Sequence, residues 1–368
     1  MSRGSWVVAR SSVFWVGIGH HTGIAVRGLN AMLADLCKAH AYRLTPAAVI
    51  PMHTPEEAIA ELCYVRRELG LRATMIPPAV ARPLAAYPDL FPRLAHPDRY
   101  GIDSAHDYDP VWRAFVELGA AVTPHGAVGL RYLPDGRSSP TNYSYNHSLG
   151  HGFLMSELCR ALVYGGVPSR FPKLSFGFLE GGASWAIALL GAVVEHWEKR
   201  GPEGLARYDP RRLDTERLAE LLRQHGLPSQ PPEMIGDPTA QPWARDEFEA
   251  SGITAEGDVA KIFGEQFFFG CESDDVSVHR ALDGRGNKLG TVLRPVFSSD
   301  IGHWDVPNLS DPVPNSWKLV ERGLLTPEAY RAFVFELPAR LHLSMNPGFF
   351  SGTSVEAAVR DAFPAALA

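Results

Sequence analysis

AAVIPMHTPEEAIAELCYVRRELGLRATMIPP, residues 47–78, holds the reading that decides the fold. It begins with an apolar run that ends at His53. Thr54 then stands as a helix N-cap, with Pro55 at the first helical position and Glu57 three residues after the cap. Ile59, Leu62, Cys63 and Leu69 mark one buried face, and Gly70 lies past the helix end. RATMIPP (72–78) is a second short apolar run. A strand, a helix and a strand in so little chain imply parallel pairing through a helical crossover.

The same rhythm continues outward. Asp109-Pro110 opens the helix VWRAFVELG, which Gly119 stops, and AAVTPH (120–125) is the next strand. A helix over 152–164 leads to the strand KLSFGFLE (173–180), followed by the helix 184–200. QFFFGCE (266–272) and TVLRPVFSS (291–299) complete the set, with one more strand expected in the apolar N-terminal residues. About seven strands result, nearly all continuous apolar runs of the kind covered on both faces. Both a closed (β/α)8 barrel and an open doubly wound sheet fit that count. Residues 201–258 break the rhythm. They are rich in Pro, Glu and Arg and read as a polar insertion with one short helix inside a single domain spanning 1–368.

Bulk properties narrow the function. The 368 residues are 45% hydrophobic and 21% charged, as in a globular protein with a large core. The net charge of −6 comes from 35 basic and 41 acidic residues that are interspersed, which argues against nucleic acid as a partner. The longest apolar run, Trp185 to Val194, is too short for a membrane span. Cys37, Cys63, Cys159 and Cys271 are far apart with no C-x-x-C pair, and read as reduced thiols of a cytoplasmic protein.

Chemistry-bearing residues gather where strands end, the rim on which parallel α/β folds build sites. His53, His125 and Glu180 each end a strand. Glu272, Asp274 and Asp275 follow QFFFGC, and FSSDIGHWDVPN (297–308) sets Asp300, His303 and Asp305 after the last strand. A single charged residue there is usually a helix cap. Several strands ending in imidazole or carboxylate suit zinc, manganese or iron, with no cysteine competing. His147 and His151 (YNHSLGHGF) are contacts for substrate or metal, or else packing residues. Phe153, Trp185 and Trp304 could line a pocket for a ring, though aromatic residues at such spacing are commonly core.

The segments NAMLADLCKAHAYRL, YDPVWRAFVELGAAVTPHG, GGVPSRFPKLSFGFLEGGASW, FFGCESDD, FSSDIGHWDVPN and MNPGFFSGTSVE, in this order from about Gly23 to the C-terminus, resemble the amidohydrolase-related metal-dependent barrel enzymes. The branch is that of aminocarboxymuconate-semialdehyde and resorcylate-type decarboxylases. The resemblance implies a (β/α)8 TIM-type barrel with a divalent metal, zinc first and manganese second, at its C-terminal rim. It casts His125 as a metal-ligating histidine, and Asp300 as the aspartate that touches the metal and shuttles a proton. Glu180 stands where many relatives carry histidine and takes a catalytic role. His303, Asp305, His147, His151 and Trp304 become substrate or supporting contacts. The family's opening H-x-H or E-x-H pair has no counterpart before Gly23, so the barrel is expected to be incomplete at its N-terminus. A small-molecule substrate and a homodimer or larger homo-oligomer follow from the same analogy.

Three functions are therefore in play: metal-dependent hydrolysis, non-oxidative decarboxylation on the same rim, and a barrel relic without catalysis. A nucleotide-dependent oxidoreductase is a poor fit. VGIGHHTG (16–23) is one residue longer than the dinucleotide fingerprint, and no acid ends the next strand. Neither GGASW nor SGTSV fits the nucleophile elbow of a serine hydrolase.

Overall fold

The computed structural model describes residues 7–9, 22–84, 86–90, 95–126, 141–207, 214–227, 246, 248–303 and 305–364. The glycine cluster VGIGHHTG and Trp304 therefore lie largely or wholly outside the described residues. Strands are β1 (Val7–Ala9), β2 (Leu44–Val49), β3 (Ala73–Met75), β4 (Val80–Pro83), β5 (Ala95–Asp98), β6 (Phe176–Phe178), β7 (Phe267–Cys271) and β8 (Pro295–Phe297).

All but β4 and β5 belong to one parallel series in chain order. β1 pairs with β2, and β2 with β3, both parallel. Segment 122–124 continues the series through the bridges Ile76–Pro124 and Val122–Phe176. β6 pairs with β7, and β7 with β8, again parallel. Helices separate consecutive strands, as expected from the sequence. The short pairing around 122–124 is reinforced by hydroxyls. Thr74 Oγ1 donates to Ala121 O at 2.7 Å, and Thr123 Oγ1 donates to Thr74 O. Among the described residues no ladder joins β8 to β1.

The helix that opens the sequence argument spans Pro55–Arg67, with Thr54 accepting from the Glu57 amide at 3.2 Å and Gly70 at φ 68°. Its buried face is Ala58, Glu61, Leu62 and Val65, so Ile59 and Cys63 sit at the margin. The helix Ser184–Arg200 has the expected ends. Between residues 201 and 258 the described chain forms helices Pro202–Leu205 and Thr215–Gln224 and starts a third at Glu256. Phe248 and Ile253 are buried in the main core, because the chain there has already returned to the barrel.

Alternate strand residues serve opposite faces. Ala48, Ile50, Val122, Phe176, Phe178, Phe267 and Phe269 join the helices Pro55–Arg67, Asp109–Glu117, Gly150–Tyr164 and Ser184–Arg200 in the principal core. Each large side chain buried there contributes about 2–3 kcal/mol. The other face carries Ala47, Val49, Ala73, Met75, Ala121, Phe268 and Val296, with Gly177 among them. It is covered by the helix Leu337–Leu343, the following Phe349 and Phe350, and Val359 of the last helix, Glu356–Ala362. A Cβ on Gly177 would lie 2.8 Å from Leu341 Cδ2, so this glycine makes room for the leucine.

β4 and β5 form an antiparallel hairpin beside the rim, a feature the sequence reading places nowhere. Asp98 holds it together. Its carboxylate accepts from Arg82 Nε (3.0 Å), Ser104 Oγ (2.9 Å) and the Tyr100 amide (3.0 Å). Arg82 also donates to Tyr108 Oη, which in turn donates to Met52 O at the end of β2's run.

Candidate metal centre at the strand ends

Three strand ends deliver the site. The His125 amide donates to Ile76 O at 3.0 Å, which fixes the residue at the end of segment 122–124 beside β3. β6 ends at Phe178, and the Leu179 amide donates to Pro124 O, so Glu180 emerges next to His125. The backbone then turns sharply. Glu180 has φ 60° and Gly182 φ 69°, with the Gly182 amide donating to Gly270 O at 2.9 Å. Gly270 has to be glycine, since a Cβ there would lie 2.9 Å from the Glu180 nitrogen.

On the far side, the Ser298 amide donates to Cys271 O, and two residues later Asp300 also takes a left-handed conformation, φ 51°. A non-glycine residue in that region costs about 1–3 kcal/mol and persists only where the surroundings enforce it. Both rim carboxylates are held this way.

Their partners are imidazoles. His125 Nε2 meets Glu180 Oε2 in a direct contact, and His151 Nδ1 lies 3.8 Å from the same oxygen. His303 Nδ1 lies 2.9 Å from Asp300 Oδ2. Both carboxylates are nearly withdrawn from solvent, with side-chain exposures of 4% for Glu180 and 8% for Asp300. Ligand atoms of Glu180, Asp300 and His303 all lie within 4.8 Å of one another. Two carboxylates and an imidazole converging at that distance are a donor set that zinc or manganese accepts.

The structure thus brings Glu180, Asp300 and His303 together, with His125 against Glu180. His303 stands closer in than a supporting role requires, because the turn after Asp300 folds its ring back on the carboxylate. His151 is half-buried behind His125, with ring centroids 6.1 Å apart, and the exposed His147 follows at 5.6 Å from His151. Asp305 is exposed and outside the converging group. Phe153 is 52% exposed, whereas Trp185 packs edge-on against Phe178 and Phe269 beside the core. His53 lies under the hairpin, where burial lowers its pKa, Glu57 opposes that and Arg82 adds to it.

Sequence reasoning missed the clamp on the Glu180 turn. Asp275 Oδ2, from the loop after β7, lies 3.3 Å from the Ala183 amide at the start of the helix Ser184–Arg200. No signal in the sequence marks it, since Ser184 in the GGAS turn is itself a capping residue type, yet the helix takes Ala183 as its N-cap with no side-chain cap bond.

The amidohydrolase family profile matches residues 15–229. No curated protein matches the chain. An amidohydrolase from Mycobacterium avium subsp. paratuberculosis K-10 is similar in structure, with 16% identity over 87% of this chain and 64% of that one and a TM-score of 0.53. This chain thus spans less than two thirds of that protein's length. Metarhizium anisopliae IDCase in its apo form shares 14% identity over 92% of this chain and 75% of its own, with a TM-score of 0.55. A manganese-bound dihydroxybenzoic acid decarboxylase from Polaromonas sp. JS666 aligns at 15% identity over 88% and 76%, with a TM-score of 0.48. At such identities the likeness to the Mycobacterium and Metarhizium proteins speaks for the TIM-type α/β fold alone. The family match covers more than half of the sequence, and on it the chain belongs to the amidohydrolase family.

Proposed function

We propose that the chain is a metal-dependent hydrolase acting on a small aromatic or carboxylic substrate, with a divalent cation held at the strand ends by Glu180, Asp300 and His303 and with His125 set against Glu180. The observation that carries this reading is the convergence of those three donors within 4.8 Å. Two carboxylates that close, both withdrawn from water, repel unless a cation or a proton lies between them. Zinc suits the mixed nitrogen and oxygen set best, and manganese is the alternative.

When bound, such a cation polarises a substrate oxygen and lowers the pKa of water. The chain's own groups do the rest. Asp300 takes a proton from the attacking water and returns it to the leaving group. His303, against Asp300 Oδ2, keeps that carboxylate turned toward the centre. Glu180 and His125 form a second carboxylate–imidazole pair, which holds the substrate's polar end or a second proton.

That second pair is the reason to keep non-oxidative decarboxylation as the other reading. Loss of CO2 leaves a carbanion, and a proton held between Glu180 and His125 faces Asp300 across the centre. Location in the cytoplasm, assembly as a homodimer or larger, and the treatment of 201–258 as an insertion in a single domain belong to the same proposal. The first rests on cysteine usage, the second on the family analogy, and the third on the polar break in an otherwise regular strand–helix rhythm.

The test is metal content by inductively coupled plasma mass spectrometry after incubation with zinc or manganese. Wild type should retain close to one equivalent, and the Asp300→Ala/His125→Ala double variant should lose it. Screening for CO2 release against hydrolysis then separates the two chemistries. A wild-type chain that holds no metal sinks the proposal and leaves the non-catalytic barrel.

A further inference from the structure

We infer that Asp275, in the loop after β7, is a positioning residue for Glu180: its carboxylate locks the turn that presents Glu180 to the centre, and metal affinity depends on it. The inference rests on the metal-centre reading above. The backbone from Glu180 to Ala183 is a costly one, since Glu180 itself has φ 60°. Something must hold it. One hold is the Gly182 amide on Gly270 O. The other is Asp275, whose Oδ2 receives the Ala183 amide at 3.3 Å while its Oδ1 receives the Ser277 amide at 2.7 Å. The Asp275 amide donates to Glu272 O, so the loop is tied to the end of β7.

The contact is close on every side. A Cβ on Gly182 would lie 2.8 Å from Asp275 Oδ2, so the turn passes directly beside the carboxylate. The buried Cys271 thiol donates to Phe269 O at 3.4 Å, and burial, with the Asp275 carboxylate nearby, pushes its pKa up. The helix Ser184–Arg200 has Ala183 as its N-cap, with no side-chain acceptor of its own. Asp275 supplies both the missing acceptor and a negative charge at the positive end of that helix. One carboxylate from β7's loop thus ties the turn after β6 in place, and that turn aims Glu180.

The test titrates zinc into wild type, Asp275→Ala, Asp275→Asn and Gly182→Ala, with thermal unfolding followed in parallel. Asp275→Ala should weaken zinc binding about tenfold or more, the size usual for groups that orient a ligand. Asp275→Asn keeps an acceptor for the Ala183 amide and should stay within about threefold of wild type. Gly182→Ala presses on the same oxygen from the other side, on backbone at φ 69° that already strains an alanine, and should weaken binding at least as much as Asp275→Ala. In a Glu180→Gln background, Asp275→Ala should cost little more. Wild-type affinity in folded Asp275→Ala, or in folded Gly182→Ala, overturns the inference. So does an equal loss with and without Glu180. A wild-type chain that binds no zinc instead overturns the metal-centre reading beneath it.

Discussion

Glu61 and Glu180 are both carboxylates buried against the parallel series, and their surroundings differ in every respect. Glu61 lies within the helix Pro55–Arg67 on ordinary helical backbone. Its Oε2 receives Arg27 Nε at 3.0 Å and its Oε1 receives Asn30 Nδ2 at 2.9 Å. The same Asn30 amide brackets Val49, accepting from its N–H and donating to its C=O, both at 2.8 Å. It thereby completes the edge of β2 beyond the three residues that β1 pairs. Glu180 stands on left-handed backbone, meets imidazoles and faces a second carboxylate. The first carboxylate is balanced by the fold. The second is held at a cost to the fold, the pattern of a group kept for binding or catalysis.

The largest expected difference between the two regions is in turnover. Asp300→Asn at the rim should lower the rate on a substrate found by screening by about a thousandfold or more, as loss of a proton-transferring group does. Its unfolding midpoint should stay near that of wild type. A variant that keeps the wild-type rate breaks the comparison at its functional end.

Asn30→Ala makes the opposite demand. It leaves the buried Val49 amide and carbonyl and one Glu61 oxygen without this partner, at a cost of about 3 kcal/mol. Urea unfolding should show that loss, while the rate per folded molecule is unchanged. A large kinetic effect with intact stability would mean that the Glu61 network reaches the site.

Histidines repeat the contrast. His342, on the helix that covers the sheet's second face, stacks on Phe349 with centroids 4.1 Å apart. Burial lowers its pKa from 6.5 to about 4. The unfolded chain therefore binds a proton that the folded chain refuses. Stability from this group is complete above pH 6.5, falls as pH drops from 6.5 toward 4, and levels off below, a total of about 3 kcal/mol. His342→Phe should lose less stability than wild type between pH 7 and pH 4.5 in urea melts. Equal losses would mean that the imidazole is not shielded.

What the sequence discloses follows the range of the interactions involved. The helices Pro55–Arg67 and Ser184–Arg200, the strand series and the rim positions of His125, Glu180 and Asp300 are legible because caps, glycines and apolar runs act within a few residues. The β4–β5 hairpin is not, since Val80–Pro83 and Ala95–Asp98 lack an alternating pattern and are held by a buried aspartate. Covering of the sheet's second face by Leu337–Leu343 is also hidden. It depends on Leu341 meeting Gly177, 164 residues earlier in the chain, and helical periodicity alone cannot say which face of a sheet a helix will cover. The Asp275 clamp is likewise a long-range capping contact.

The smallest effect is the sharpest test of the opening comparison. At φ 60° a glutamate side chain crowds its own backbone, whereas glycine does not. Glu180→Gly removes that strain and the charge repulsion with Asp300, while also giving the unfolded chain more freedom. The net should be a gain of about 1 kcal/mol, read as a higher urea midpoint, together with loss of bound metal. Glu61→Gly, on a helix and stripped of its contacts to Arg27 and Asn30, should move the midpoint the other way. If both substitutions destabilise alike, Glu180 is a structural carboxylate, and the strained rim is packing rather than a site.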